Sequence, residues 1–304
     1  MDIIGHENTR KLLGKISSGD LPHHAFLFFG PEGIGKNLVA REFAAALLGC
    51  PGEDPSRKQD FLLIVPTAKK GSETRKGGKR KEPKKSVFVE DIREAGVFLS
   101  RFPAESPRRV VVIDDADRMT ESAQNALLKT LEEPNTTSVL VLVTARPGVL
   151  RDTVVSRTFR IPFSLVPESV ISAGVNALFS DSSEPVPPFF YSLGRPGIIV
   201  GAASDPELFA KRKDQLRPLF KIGSLSFSER LALSEKLSES PAEAADLFEW
   251  WVSGLRNRRN RNESPKTTVS YYRLLEEIEK TTRSLRDTNM NARLLIDRLF
   301  LVSF

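Results

Sequence analysis

Ala25-Phe26-Leu27-Phe28-Phe29 runs directly into Gly30-Pro31-Glu32-Gly33-Ile34-Gly35-Lys36-Asn37 and on into Leu38-Val39-Ala40-Arg41-Glu42-Phe43-Ala44. A short apolar run, a glycine-rich turn and a helical stretch with a lysine at its mouth form a phosphate cradle. Small residues let backbone N–H groups wrap the phosphates, and the helix N-terminus adds its partial positive charge. Lys36 is placed to reach the β- and γ-phosphates of a nucleotide. The fingerprint G-x-x-x-x-G-K-[ST] is met at Gly30, Gly35 and Lys36 and fails at its last position, where Asn37 replaces a hydroxyl. Gly30, Gly33, Gly35, Lys36 and Asn37 are thus the candidate nucleotide-binding residues; the alternative is a loop retained only for its fold.

The missing hydroxyl is the one that ligates Mg²⁺, a hard cation that prefers oxygen. An amide oxygen is neutral and differently aimed, so ATP with Mg²⁺ is expected to bind weakly. The second metal element follows another apolar run, Val110-Val111-Val112-Ile113, as Asp114-Asp115-Ala116-Asp117. Asp114 takes the position that holds the hydrated metal. Asp115 stands where a glutamate usually polarises the attacking water and is one methylene shorter, a misplacement that catalysis tolerates poorly. Two hydrolytic parts are therefore altered together, and little or no intrinsic ATPase activity is expected.

Further apolar runs lie near Phe61 to Val65, Val139 to Val143 and Thr158 to Phe163, with helical spacings between them, as in Val89/Ile92/Gly96/Leu99 and Ala123/Leu127/Leu131. Alternating strands and helices predict a doubly wound α/β domain on a five-stranded parallel sheet over residues 1–163. The strands lack polar alternation, so they should be buried on both faces. Beyond Phe163 helical patterns dominate. A small helical lid is expected over 164–205, where Ile198 to Val200 reads as helix, and a larger all-helical domain over 206–304. Trp250 and Trp251 sit inside a helical pattern and read as core rather than as a stacking platform.

A chain of 304 residues accommodates two or three domains. No apolar run approaches the roughly 18 residues of a membrane span, and the first residues lack a secretory signal, so a cytoplasmic protein is expected. Cys50 is the only cysteine, which excludes an intramolecular disulfide and a four-cysteine zinc site. The net charge of +6 has a local origin: Lys69 to Lys85 carries nine basic residues against Glu73 and Glu82, and outside it the charges nearly cancel. With no apolar residue between Ala68 and Val87, a disordered basic loop is expected over 68–86. Either this loop or the arginines between Arg256 and Arg261 could meet nucleic acid, and either could equally be solvated.

Two other stretches, read with His24 to Pro31, give the chain a family. Asn125-Ala126-Leu127-Leu128-Lys129-Thr130-Leu131-Glu132-Glu133-Pro134 follows the aspartates, and Thr144-Ala145-Arg146-Pro147 precedes Leu150-Arg151-Asp152-Thr153-Val154-Val155-Ser156-Arg157-Thr158. Together they closely resemble bacterial clamp-loader AAA+ subunits, and among them the delta prime form. The resemblance is dense from residue 3 to 163 and weaker beyond, carried there by Gly194-Arg195-Pro196-Gly197 and by the helix from Asn291 to Leu301.

That resemblance implies an AAA+ domain, a helical lid and a carboxy-terminal collar in a hetero-pentamer with gamma/tau and delta subunits, acting on a sliding clamp and primed DNA in replication. It makes Thr144 a sensor 1 residue, against the plainer reading of a strand-end cap. It makes Arg157 an arginine finger reaching a neighbour's γ-phosphate, against that of a surface salt bridge. The family's Ser-Arg-Cys reads Ser156-Arg157-Thr158 here, with the replaced side chain expected to face the interior. The zinc cysteines found in many members are missing after Cys50, so no zinc is expected; Gly197 stands where a motor subunit's sensor 2 arginine aligns, which with Asn37 and Asp115 implies a rigid partner and not a motor. A non-hydrolysing stator is the leading reading and an ATP-hydrolysing gamma/tau-type motor its alternative; a stand-alone P-loop phosphotransferase leaves the Ser-Arg motif and the helical third unexplained.

Overall fold

The apolar runs of the first half become strands that pair in parallel. In the computed structural model, which describes residues 3–19, 23–68, 85–178, 194–204, 206–258, 265–287 and 290–302, the strands are β1 Ala25–Phe29, β2 Phe61–Ile64, β3 Thr67–Ala68, β4 Lys85–Ser86, β5 Arg109–Ile113, β6 Ser138–Thr144 and β7 Phe159–Pro162. Five of them form one sheet in the order β2-β5-β6-β1-β7, every pair parallel. α1 Glu7–Ser18 precedes the strands, and the helices between them are α2 Lys36–Leu47, α3 Val89–Ser100, α4 Glu121–Glu132 and the short α5 Asp152–Val155.

Side chains alternate across each strand, so one sheet feeds two cores. Phe26, Phe28, Val110, Val112, Val139 and Val141 meet Val39 and Phe43 of α2 on one face. Leu27, Val111, Ile113, Leu140 and Leu142 meet Ile92 of α3 and Leu127 and Leu131 of α4 on the other. β5 and β6 are buried along their whole length, as the unbroken apolar runs require. Thr120 caps α4 through its hydroxyl, which accepts the Ala123 N–H at 3.2 Å. The helix stops at Glu132, two residues before Pro134.

The chain divides into two compact units, Met1–Val166 and Pro167–Phe304. In the second, α6 Glu168–Leu178, α7 Pro196–Ser204, α8 Pro206–Leu219, α9 Phe227–Ser238, α10 Pro241–Arg258, α11 Pro265–Asp287 and α12 Ala292–Val302 include helices from both the expected lid and the expected collar stretches. Ile198 to Val200 is helical. Trp250 and Trp251 are buried, and Trp251, Phe248 and Phe300 form an aromatic cluster with centroids 6.0–6.4 Å apart.

The basic loop expected over 68–86 falls mostly outside the described residues. Its ends are ordered: Ala68 pairs with Lys85 and Thr67 with Ser86 in a short antiparallel ladder. Among the described residues no helix is long and apolar enough to cross a membrane.

Candidate functional site

Parallel pairing brings the carboxyl ends of β1, β5 and β6 to one edge of the sheet, where open α/β sheets hold their ligands. Phe29 is level with Thr144 and Ile113 with Leu142. Gly30, Asp114 and Thr144, remote in sequence, therefore converge at this edge.

The turn after β1 requires glycine. Gly30, Gly33 and Gly35 have φ of +152°, +75° and +93°. A Cβ at Gly30 would lie 2.1 Å from the carbonyl oxygen of Phe163. Nε2 of His6 lies 2.8 Å from the Ile34 carbonyl and braces the turn from outside; burial lowers the pKa of this ring below the ordinary histidine value. Lys36 opens α2 and is nearly buried. Its Nζ donates to the carbonyls of Gly30 at 2.8 Å and Pro31 at 2.6 Å. Burial pushes the lysine pKa down, against the opposing pull of Glu32, Asp114, Asp115 and Asp117.

The altered residues satisfy one another. Asn37 Nδ2 donates to Asp114 Oδ2 at 2.5 Å, and Asp114 Oδ1 accepts the Asp115 N–H at 3.0 Å. Burial raises the Asp114 pKa and the Asp115 charge raises it further, while the Asn37 amide favours the carboxylate. Asp115 has a left-handed φ of +46° and turns its carboxylate to Arg118, with Nε at 3.4 Å. Mg²⁺ needs oxygens that are free to accept it. The group Asn37 turns to Asp114 is an amide N–H, which cannot ligate a cation where a hydroxyl oxygen could, so the residues present do not fit the metal.

Thr144 is buried at the end of β6, and its hydroxyl donates to Asp117 Oδ1 at 2.7 Å. The Thr144 hydroxyl oxygen in turn accepts the Arg146 N–H at 3.0 Å. Arg146 closes a fork on Asp117 Oδ2, with Nε at 2.9 Å and Nη2 at 2.7 Å. Burial alone would raise the Asp117 pKa, but the Thr144 hydroxyl and the Arg146 fork outweigh it and hold the group below the usual carboxylate value. Thr144 thus ties the strand end to the turn after β5. Asp117, Arg146 and His6 were missed by the sequence reading. The available signal was two charged residues flanking buried strand ends, Asp117 three positions after Asp114 and Arg146 two after Thr144.

Arg157 lies at the opposite edge. Phe159 is level with Phe26, so Arg157 sits beyond the amino end of β1. About four residues of β1, roughly 13 Å at ~3.3 Å per residue, separate that level from the turn at Gly30. The carboxyl end of α4 reaches the same edge, where the His24 ring meets the Leu131 carbonyl at 3.1 Å. Arg157 Nη2 pairs with Glu132 at 2.9 Å, and Nη1 donates to the Thr153 carbonyl at 3.0 Å. Thr158 faces inward, 8% exposed, its hydroxyl on the Val155 carbonyl at 2.8 Å.

Cys50 is buried, and burial pushes its thiol pKa up. In the second unit Arg195 is tied to Glu249 at 2.7 Å, and Arg286 bridges Glu249 and Asp246 at 2.5 Å and 2.6 Å. Arg256 pairs with Glu279 at 2.5 Å; Arg259 and Arg261 lie outside the described residues.

A five-stranded parallel sheet with a phosphate-loop turn after its first strand and aspartates after its third, followed by a helical region, defines an AAA+ architecture. The profile of the family described as DNA polymerase III, delta subunit, matches residues 5–167, more than half of the chain, and the protein belongs to this clamp-loader family. It is 32% identical to the DNA polymerase III subunit delta' of Pseudomonas aeruginosa over 148 residues, which cover 44% of this chain and 41% of that one. The subunit delta' of Bacillus subtilis is 30% identical over 174 residues, 53% and 48% of the two chains. Subunit tau of Bacillus subtilis is 27% identical over 191 residues, 58% and 31%. The chain spans less than half the length of these relatives. Among solved structures, a DNA polymerase III gamma subunit-related protein from Thermotoga maritima superposes with a TM-score of 0.46 at 22% identity, over 97% of this chain and 98% of that one.

Proposed function

We propose that this protein is the delta prime-type stator of a clamp-loader hetero-pentamer with gamma/tau and delta subunits. It hydrolyses little or no ATP itself and supplies Arg157 to the ATP site of a neighbouring motor subunit, which drives loading of the sliding clamp onto primed DNA. The observation that carries the reading is the position of Arg157 at the sheet edge away from its own phosphate turn. A guanidinium there is out of reach of a nucleotide in its own subunit, and within the subunit it rests on Glu132, a half-exposed surface partner. The arrangement of Lys36, Asn37, Asp114 and Thr144, each engaged by a neighbour within the subunit, agrees with a silent site.

The gamma/tau-type motor is the second reading, favoured by the longer stretch matched in tau. It requires Asn37 and Asp115 to act as working substitutes for a hydroxyl and a glutamate. Reconstitution separates the two. The purified chain with primed DNA but no partner should show no ATP turnover, and Arg157→Ala in the assembled complex should lower DNA-stimulated turnover at least a hundredfold. Turnover by the lone chain, or an unchanged rate in the Arg157→Ala complex, rejects the proposal.

A further inference from the structure

The phosphate turn keeps its shape here with its metal link rewritten. In the usual motif a Ser/Thr hydroxyl at the start of the helix and an aspartate at the end of a neighbouring strand are joined through Mg²⁺ and its waters. Here the same two elements, α2 and β5, are joined by a direct bond 77 residues apart in sequence, from Asn37 Nδ2 to Asp114 Oδ2. Chemistry fixes the direction of the amide, since a carboxylate only accepts and so the NH₂ of Asn37 must face it. The other oxygen of Asp114 holds the backbone of Asp115. A threonine hydroxyl at position 37 could donate to the carboxylate and still offer its oxygen to a cation; the amide face that Asn37 turns to Asp114 offers only N–H.

We infer that the Asn37 amide, standing in for the metal-ligating hydroxyl, is a metal-independent strut between α2 and β5, so that any nucleoside polyphosphate this turn accepts is held without Mg²⁺. The inference concerns the subunit's own turn and does not depend on Arg157.

The test uses the full chain and ADP, titrated calorimetrically in EDTA and again in excess Mg²⁺. The wild type should bind ADP in both buffers with affinities within twofold of each other, and binding in neither overturns the metal-free hold. Asn37→Thr, which restores the hydroxyl, should bind ADP at least tenfold tighter with Mg²⁺ than without. A wild type that gains tenfold from Mg²⁺, or an Asn37→Thr protein that gains nothing, overturns the inference. Thermal unfolding supplies a readout independent of nucleotide. In EDTA, Asn37→Ala should melt roughly 3 to 12 °C lower, the loss expected for one hydrogen bond to a charged group in a unit of this size. An unchanged melting temperature overturns the strut. Both measurements are made without partner subunits, so a failure here leaves the finger assignment standing, and the reverse also holds.

Discussion

Glu132→Gln separates the two roles open to Arg157. The pair is 2.9 Å long, and its side chains are 39% and 51% exposed. Ion pairs this wet contribute about 0.2 to 1 kcal/mol, a factor of roughly 1.4 to 5. An arginine finger accelerates turnover about 10³ to 10⁵-fold, or roughly 4 to 7 kcal/mol. If Arg157 reaches a neighbour's triphosphate, Glu132 is only where it rests, and the phosphate wins the competition by several kcal/mol. Glu132→Gln should then leave DNA-stimulated ATP turnover of the reconstituted complex within about fivefold of wild type, with any change upward because less must be broken to release the guanidinium. Arg157→Ala in the same assay should lose a hundredfold or more. If the two variants lose turnover equally, Arg157 serves to hold the carboxyl end of α4 through Glu132, and the reasoning from edge position to finger fails. Circular dichroism of each variant before assembly guards against a folding defect posing as a catalytic one.

Two further predictions concern the scaffold. Asp60 is fully buried, and its carboxylate accepts the N–H groups of Ala104, Glu105 and Ser106 at 2.8–3.0 Å beside Arg109, whose Nε lies at 3.3 Å. Burial alone would raise its pKa, but these partners outweigh it and set the folded value below the ordinary one. The stabilisation is therefore complete above the unfolded pKa of about 3.9 and is lost as pH falls through the folded value. Asp60→Asn should destabilise by about 3 kcal/mol at pH 7 in denaturant titrations, with the gap from wild type closing below about pH 4; a gap independent of pH would refute the charge argument. At the turn, Gly30→Ala drives a Cβ onto the Phe163 carbonyl at 2.1 Å, whereas Gly35→Ala meets nothing within 4 Å and bears only its φ of +93°. The first should lower the melting temperature by more than 5 °C and the second by about half as much or less.

What was legible in the sequence was what local pattern encodes. β1, β5 and β6 stand within a residue or so of their apolar runs because strands buried on both faces cannot carry polar alternation. The glycine turn was legible because only glycine fits there. The partners of the chemistry were not. That Asn37 weakens a metal site follows from its side chain; that it donates to Asp114 follows from β5 lying two strands from β1, which no local pattern states. The clamp of Thr144 and Arg146 on Asp117 was hidden for the same reason, since it joins the ends of two strands through a turn. Arg157 could be read as a finger or as a salt-bridge partner, and the subunit alone displays the salt bridge.

Under the proposed function, the sheet explains how a subunit can lose one role and keep another. The phosphate turn and the aspartates occupy the carboxyl edge, and Arg157, with the ends of α4 and α5, occupies the amino edge. Between them run β1, β5 and β6, almost wholly buried and packed too densely to yield to a surface change at one end. Asn37 and Asp115 alter groups that meet only their own edge, through Asp114 and Arg118. Nothing in those contacts reaches Glu132 or Thr153, which hold Arg157. Substitutions at the two edges should therefore be additive. In a double-mutant cycle Asn37→Thr with Arg157→Ala should show coupling below about 0.5 kcal/mol in thermal stability, as for sites more than ~10 Å apart with no shared partner. Coupling above 1 kcal/mol would mean that the strands transmit strain from edge to edge, and the proposed silence of one site could then no longer be argued separately from the proposed finger role of the other.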